Sequence, residues 1–139
     1  MSAGGDARAW ERLAAARVAR FATTAPRIVP VTFVVSDGAV FHAVDHKPKS
    51  TRALARLEDL RRDPRASLLV DQYDEDWSAL WWVRADGRAA ILAGDDPRAA
   101  PALDLLVEKY PQYADRRPEG PVIALDVERI ASWSAAGPE

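Results

Sequence analysis

The residues best equipped for chemistry are gathered in one short stretch, Asp45-His46-Lys47-Pro48-Lys49-Ser50-Thr51. Pro48 disfavours a helical conformation for Lys47, so the chain is expected to run extended through the two lysines. In an extended segment Lys47 and Lys49 project to the same side. Ser50 or Thr51 suits a helix N-cap, and the first amides of the helix that follows point, unpaired, into the same volume. Two ammonium groups, a hydroxyl and a helix N-terminus on one spot form an anion site, most naturally one for a phosphate. The same composition also suits a basic surface loop. Placement between an apolar strand and an amphipathic helix brings the anion site level with that plainer reading.

Other chemistry finds less support. His42 and His46 are the only histidines, and no third ligand at a recognisable spacing accompanies them, so no metal site is expected. The acidic run Asp71, Asp74, Glu75, Asp76 reads as a solvated loop rather than a cation cage. G-x-S-x-G and G-x-G-x-x-G are both absent, which leaves a serine hydrolase and a Rossmann nucleotide site unsupported. Trp77, Trp81 and Trp82 make the densest aromatic stretch. On a strand Trp81 and Trp82 face opposite sides, so one suits the core and the other an interface or a flat ligand. Arg84 and Arg88 lie near them, but the acidic loop before them argues against an oligonucleotide-binding barrel.

The elements that must position these residues follow from pattern. Residues 7–17 carry Trp10, Leu13 and Ala14 at helical spacing. Residues 18–24 and the β-branched run 28–35 read as strands. Pro30 in that run implies an edge, a bulge or a place where a ligand meets the backbone. Asp37-Gly38 is a hairpin signal leading into a strand over 39–44. A helix is expected over 52–62, with Leu54, Leu57 and Leu60 as its apolar stripe and Arg52, Arg56, Arg61 and Arg62 largely off it. A strand over 66–70 follows. Asp86-Gly87 reads either as another hairpin turn or, the favoured reading, as a close approach at Gly87 within one long strand over 79–92. Asp96-Pro97 has the chemistry to start a second helix ending at Tyr110-Pro111, and 122–127 with 130–133 form the last strand or a bent pair. Hairpins outnumber crossovers, which predicts a mainly antiparallel barrel with flanking helices.

The totals set the class. One domain of 139 residues, with 48% hydrophobic and 29% charged residues, is ordinary for a soluble globular protein. A net charge of -2 offers no global field for nucleic acid. Cysteine is absent, which excludes disulfides and thiolate chemistry and suits a reducing cytosol. No signal peptide or membrane-spanning run is legible, so a cytoplasmic location without membrane partners is expected.

The motifs V-P-V-T-F (29–33), V-D-H-K-P-K (44–49), D-P-R-A-S-L-L-V-D (63–71), D-W-S-A-L-W-W-V-R-A-D-G-R-A (76–89) and K-Y-P-Q-Y (109–113) occur in one order along the chain. Together they resemble the pyridoxamine-phosphate-oxidase-like class of F420-dependent oxidoreductases, over about residues 10–134. The resemblance implies a single six-stranded antiparallel split β-barrel of the FMN-binding type, forming a homodimer with the cofactor in the groove between subunits. It implies a phosphate held by Lys47 and Lys49, with Ser50, Thr51 and Arg52 as helpers. It sets Pro30, Val31 and Thr32 beside the ring system, with Ala43 and Val44 on the neighbouring strand. A tryptophan of the partner subunit would cover the ring, the candidates being Trp77, Trp81 and Trp82.

The implied activity is hydride transfer between coenzyme F420 and a small organic substrate, with His46 and Tyr73 as the nearest proton donors. FMN is the alternative cofactor, because it also presents a phosphate and a flat tricyclic ring. A carrier of such a ligand, or of haem held by His42 or His46, is the third reading. One departure stands out: only Thr24-Ala25-Pro26-Arg27 spans the turn between the first two strands, where relatives have a longer glycine-containing one.

Overall fold

A computed structural model describes residues 3–44 and 51–137. The elements run α1 (Ala3–Ala15), β1 (Ala19–Thr23), β2 (Arg27–Val31), β3 (Val34–Ser36), β4 (Ala39–Ala43), α2 (Thr51–Arg62), β5 (Arg65–Gln72), β6 (Trp81–Leu92), α3 (Ala99–Lys109), α4 (Pro111–Asp115) and β7 (Val122–Ser134). The strands form one sheet in the order β2-β1-β5-β6-β7-β4-β3, with every pairing antiparallel. The two edge strands, β2 and β3, are consecutive in the chain and separated only by Thr32 and Phe33. The sheet therefore curls until its edges meet through covalent backbone, without a β2–β3 ladder: a split barrel. The expected run 28–35 is thus two strands rather than one, which brings the count to seven.

Alternation places the core. On β1, β5 and β6 the inward set is Ala19, Phe21, Ala66, Leu68, Val70, Val83 and Ala85, all buried. Pro30 lies on edge strand β2, opposite Arg20, where its missing N–H leaves no inner ladder unpaired. β6 is the long strand expected, and its register shifts between Asp86 and Gly87. A Cβ at Gly87 would collide with the backbone carbonyl of Asp126 on β7, so glycine is what lets the two strands meet there.

The helices differ from expectation in phase and start. On α2, Leu57 and Leu60 are buried but Leu54 is 52% exposed. The inner face also takes Asp59, which is buried, and Arg56, which is half-buried. α3 begins at Ala99 rather than Pro97, because Asp96 belongs to the preceding turn, where its carboxylate accepts from the Arg98 amide at 2.9 Å. Pro101 then falls within the first helical turn, where it breaks no intrahelical bond. One core cluster fills the barrel beneath α1 and α2, and a second lies between α3 and the β3–β4–β7 surface. Among the described residues no helix is long and apolar enough to cross a membrane.

Candidate functional site

The residues expected around a ligand divide into three groups. Lys47, Lys49 and Ser50 lie outside the described residues, while Thr51 is the first residue of α2 and Arg52 the second. β2 ends at Val31, paired with Ala19 on β1, and β4 ends at Ala43, paired with Val122 on β7. The β3–β4 ladder begins with Val34 opposite Phe41, so Thr32 lies two residues before it and Ala43 two residues beyond Phe41. Ala43 and Tyr113 both pack against the cluster beneath α3 and α4, and Thr32 Oγ1 hydrogen-bonds Tyr113 Oη at 2.9 Å. Val31 and Val44 instead turn their side chains into the core, so only their backbone is available to a ligand. Pro30 is exposed on the edge.

A cation that the sequence reading placed off the apolar stripe meets the buried His42 of β4. Arg56 Nη1 donates to Nε2 of His42 at 3.3 Å; the guanidinium has only protons to give, so the ring nitrogen accepts. His42 precedes Ala43 on β4, is 1% exposed and packs on Phe21 with ring centroids 4.7 Å apart. Burial, and then the charge of Arg56, push its pKa down to about 3, so the ring is neutral at physiological pH. Burial also lowers the pKa of Arg56, whose Nε is buried without a hydrogen-bond partner. No carboxylate forms an ion pair with Arg56 among the described residues. The helical phase of Leu57 and Leu60 was the one signal that could have revealed it, and Leu54 obscured that phase.

The tryptophans lie elsewhere. Trp81 packs against the core with the Arg12 guanidinium 4.9 Å from its ring. Trp82 faces outward, opposite Trp133 on β7. Trp77 opens a short 3-10 turn, 68% exposed, with Nε1 3.4 Å from Tyr73 Oη. β6 is three strands from β2 in sheet order, so roughly 14 Å of sheet separates the Trp82 backbone from the Thr32 end. Leu69, Tyr73, Leu80, Trp81, Trp82 and Trp133, with the polar Asp71, Gln72 and Arg84, line a groove of 360 Å³ on this outer face. Beside it Arg84 holds Asp86 through two contacts, 2.8 and 3.0 Å, and Ser67 donates to the same carboxylate at 2.7 Å.

The acidic loop spends its carboxylates on its own chain. Asp74 accepts from the Asp76 amide at 2.7 Å, and Asp76 accepts from Ser78 Oγ at 2.6 Å and Ser78 N at 3.0 Å. Among the described residues no three metal-ligating side chains are grouped.

A seven-stranded antiparallel sheet curled into this split barrel defines the class as pyridoxamine-phosphate-oxidase-like. The chain belongs to the pyridoxamine 5′-phosphate oxidase family, whose model matches residues 6–134. Solved structures share the fold. A conserved hypothetical protein of Mycobacterium tuberculosis superposes with a TM-score of 0.75 at 22% identity, over 98% of this chain and 86% of that one. An FAD-binding protein of Mesorhizobium loti gives 0.68 at 21% identity, over 95% and 94%. The haem storage protein HutZ of Vibrio cholerae gives 0.66 at 16%, over 93% and 90%. None of the curated proteins compared is a match.

Proposed function

We propose that this protein is an oxidoreductase that uses the deazaflavin coenzyme F420 to transfer a hydride to or from a small organic substrate, working as a homodimer. The observation that carries the reading is the placement of Ala43 at the end of β4 and of Thr51 and Arg52 at the start of α2, with Thr32 two residues before β3. These flank, in sequence and on both sides, the segment that bears Lys47 and Lys49.

These groups suit a flat ring carrying a phosphate: Ala43 offers only a methyl group, and Thr32 and Tyr113 offer hydroxyls. Lys47, Lys49, Ser50, Thr51 and Arg52 would hold the phosphate; Pro30, Thr32 and Ala43, with the backbone of Val31 and Val44, would lie along the ring. Trp82 or Trp77 of a second copy would cover its other side, which suits the exposure of Trp77 and the outward face of Trp82. When bound, the deazaflavin or flavin supplies the hydride chemistry. The chain's own residues anchor the anion, orient the ring and keep its face dry.

FMN is the second reading, favoured by the family's membership and by the FAD-binding relative of the same fold. Haem is the weaker candidate: His42 is buried with its Nε2 engaged by Arg56, which leaves as axial ligand only His46, outside the described residues. Fluorescence titration of the protein with coenzyme F420 and with FMN, side by side, tests the proposal. Tighter F420 binding is expected; the reverse order moves the protein to FMN chemistry, and binding of neither contradicts the cofactor reading.

A further inference from the structure

We propose that Tyr113 is a positioning residue for Thr32, fixing the orientation in which the Thr32 hydroxyl meets the bound ring. The proposal rests on the cofactor reading above, and its basis lies in how the seam of the barrel is held. Thr32 and Phe33 belong to neither β2 nor β3, so sheet pairing does not hold them.

Side chains from the end of α3 take that role. The Phe33 amide donates to Tyr110 Oη at 3.1 Å, and the Phe33 carbonyl accepts from Lys109 Nζ at 3.0 Å. The same ammonium donates to the carbonyls of Ala14 at 3.1 Å and Ala16 at 2.8 Å, tying the end of α1 to the seam. It also sits 4.1 Å from the Phe33 ring centroid, a cation–π contact. The backbone at Thr32 is thereby anchored on its C-terminal side.

The remaining freedom is the Thr32 rotamer, already narrow for a β-branched residue. Tyr113 Oη, 2.9 Å away, selects it. Tyr113 is itself steadied by an edge-on contact with Tyr110, centroids 5.9 Å apart at 73°. A hydroxyl has one proton and two acceptor sites. When Tyr113 donates, the Thr32 proton is released for a ligand; when Thr32 donates, its oxygen can only accept. Tyr113 thus sets what Thr32 presents to the ring. The K-Y-P-Q-Y motif acquires a role on this account: its first two residues staple the seam, and its last aims the hydroxyl.

Three variants of the full chain test this: Tyr113→Phe, Thr32→Val and the double variant, with Tyr110→Phe as the control that loosens the seam but spares Tyr113. Dissociation constants for coenzyme F420 and FMN, and the absorption maximum of each when bound, are measured alongside thermal stability. Tyr113→Phe and Thr32→Val are each expected to weaken binding roughly three- to tenfold and to shift the bound spectrum in the same direction. The double variant should do no more than either single one, since the two hydroxyls act as a unit. Wild-type affinity and spectrum in Tyr113→Phe, additive effects in the double variant, or the same spectral shift in Tyr110→Phe would each overturn the inference. Failure of the unmodified protein to bind either cofactor would overturn the cofactor reading, and the inference with it.

Discussion

Arg27 Nε donates to Asp59 Oδ2 across 2.7 Å, joining the β1–β2 turn to the inner face of α2. Thr23 Oγ1 donates to the same oxygen at 2.9 Å, and Thr24 Oγ1 reaches Asp63 Oδ2 at 3.0 Å. The short turn between β1 and β2 is therefore bolted to the helix that follows the lysine segment. The hydrogen bond from Arg27 holds the Asp59 carboxyl below the usual carboxylate range. Asp59→Ala leaves Thr23 without its acceptor in a buried position, so a loss on the order of 1–3 kcal/mol is expected in urea denaturation. Wild-type stability in that variant would show that the turn is held by packing alone.

His42 gives the fold an acid limb. Its folded pKa of about 3 lies below the ordinary 6.5, so the unfolded chain binds a proton that the native ring refuses. The stability contribution is whole above pH 6.5 and is lost as pH falls toward 3, amounting to roughly 2 kcal/mol between pH 7 and pH 5. His42→Gln retains an acceptor for Arg56 and removes the titration. Its stability curve is expected to be flatter than wild type over that range; an unchanged slope would assign the acid limb to other groups.

Gly87 is the tightest point of the sheet. A methyl group there meets the carbonyl of Asp126, backbone that cannot swing aside as a side chain could. Gly87→Ala is expected to destabilise by on the order of 3 kcal/mol, at the upper end for overpacking. A thermal midpoint equal to wild type would mean that β6 and β7 separate locally without penalty.

The outward face of β5, β6 and β7 carries the proposal of a dimer. Leu69, Leu80, Trp82 and Trp133 border one groove there, and Trp133 is 47% exposed. Sedimentation is expected to give twice the 15.2 kDa chain mass, and Trp82→Glu with Trp133→Glu should return the monomer. A wild-type monomer at tens of micromolar would remove the second copy from the proposed site.

Most of the fold was legible because pattern and burial agree. The Asp37-Gly38 hairpin, the long β6 with its close approach at Gly87, and the opposed faces of Trp81 and Trp82 all follow from local rules. What escaped was set by tertiary partners. No local signal divides the β-branched run at Thr32-Phe33, because the break is held from α3 by Lys109 and Tyr110. Arg56 and Asp59 sit on the buried face of α2 because His42, Thr23 and Arg27 receive them there. Thr32 and Ala43 entered through the family resemblance, whereas Tyr113 entered only as a letter in a motif.

The most direct test of the account is the affinity of the protein for coenzyme F420 before and after Lys47→Ala. Loss of one charge-assisted phosphate contact is expected to weaken binding roughly ten- to a hundredfold, about 1.5–3 kcal/mol, with the circular dichroism of the fold unchanged. An unchanged dissociation constant would contradict the phosphate site, and no F420 binding by the unmodified protein would contradict the deazaflavin assignment itself.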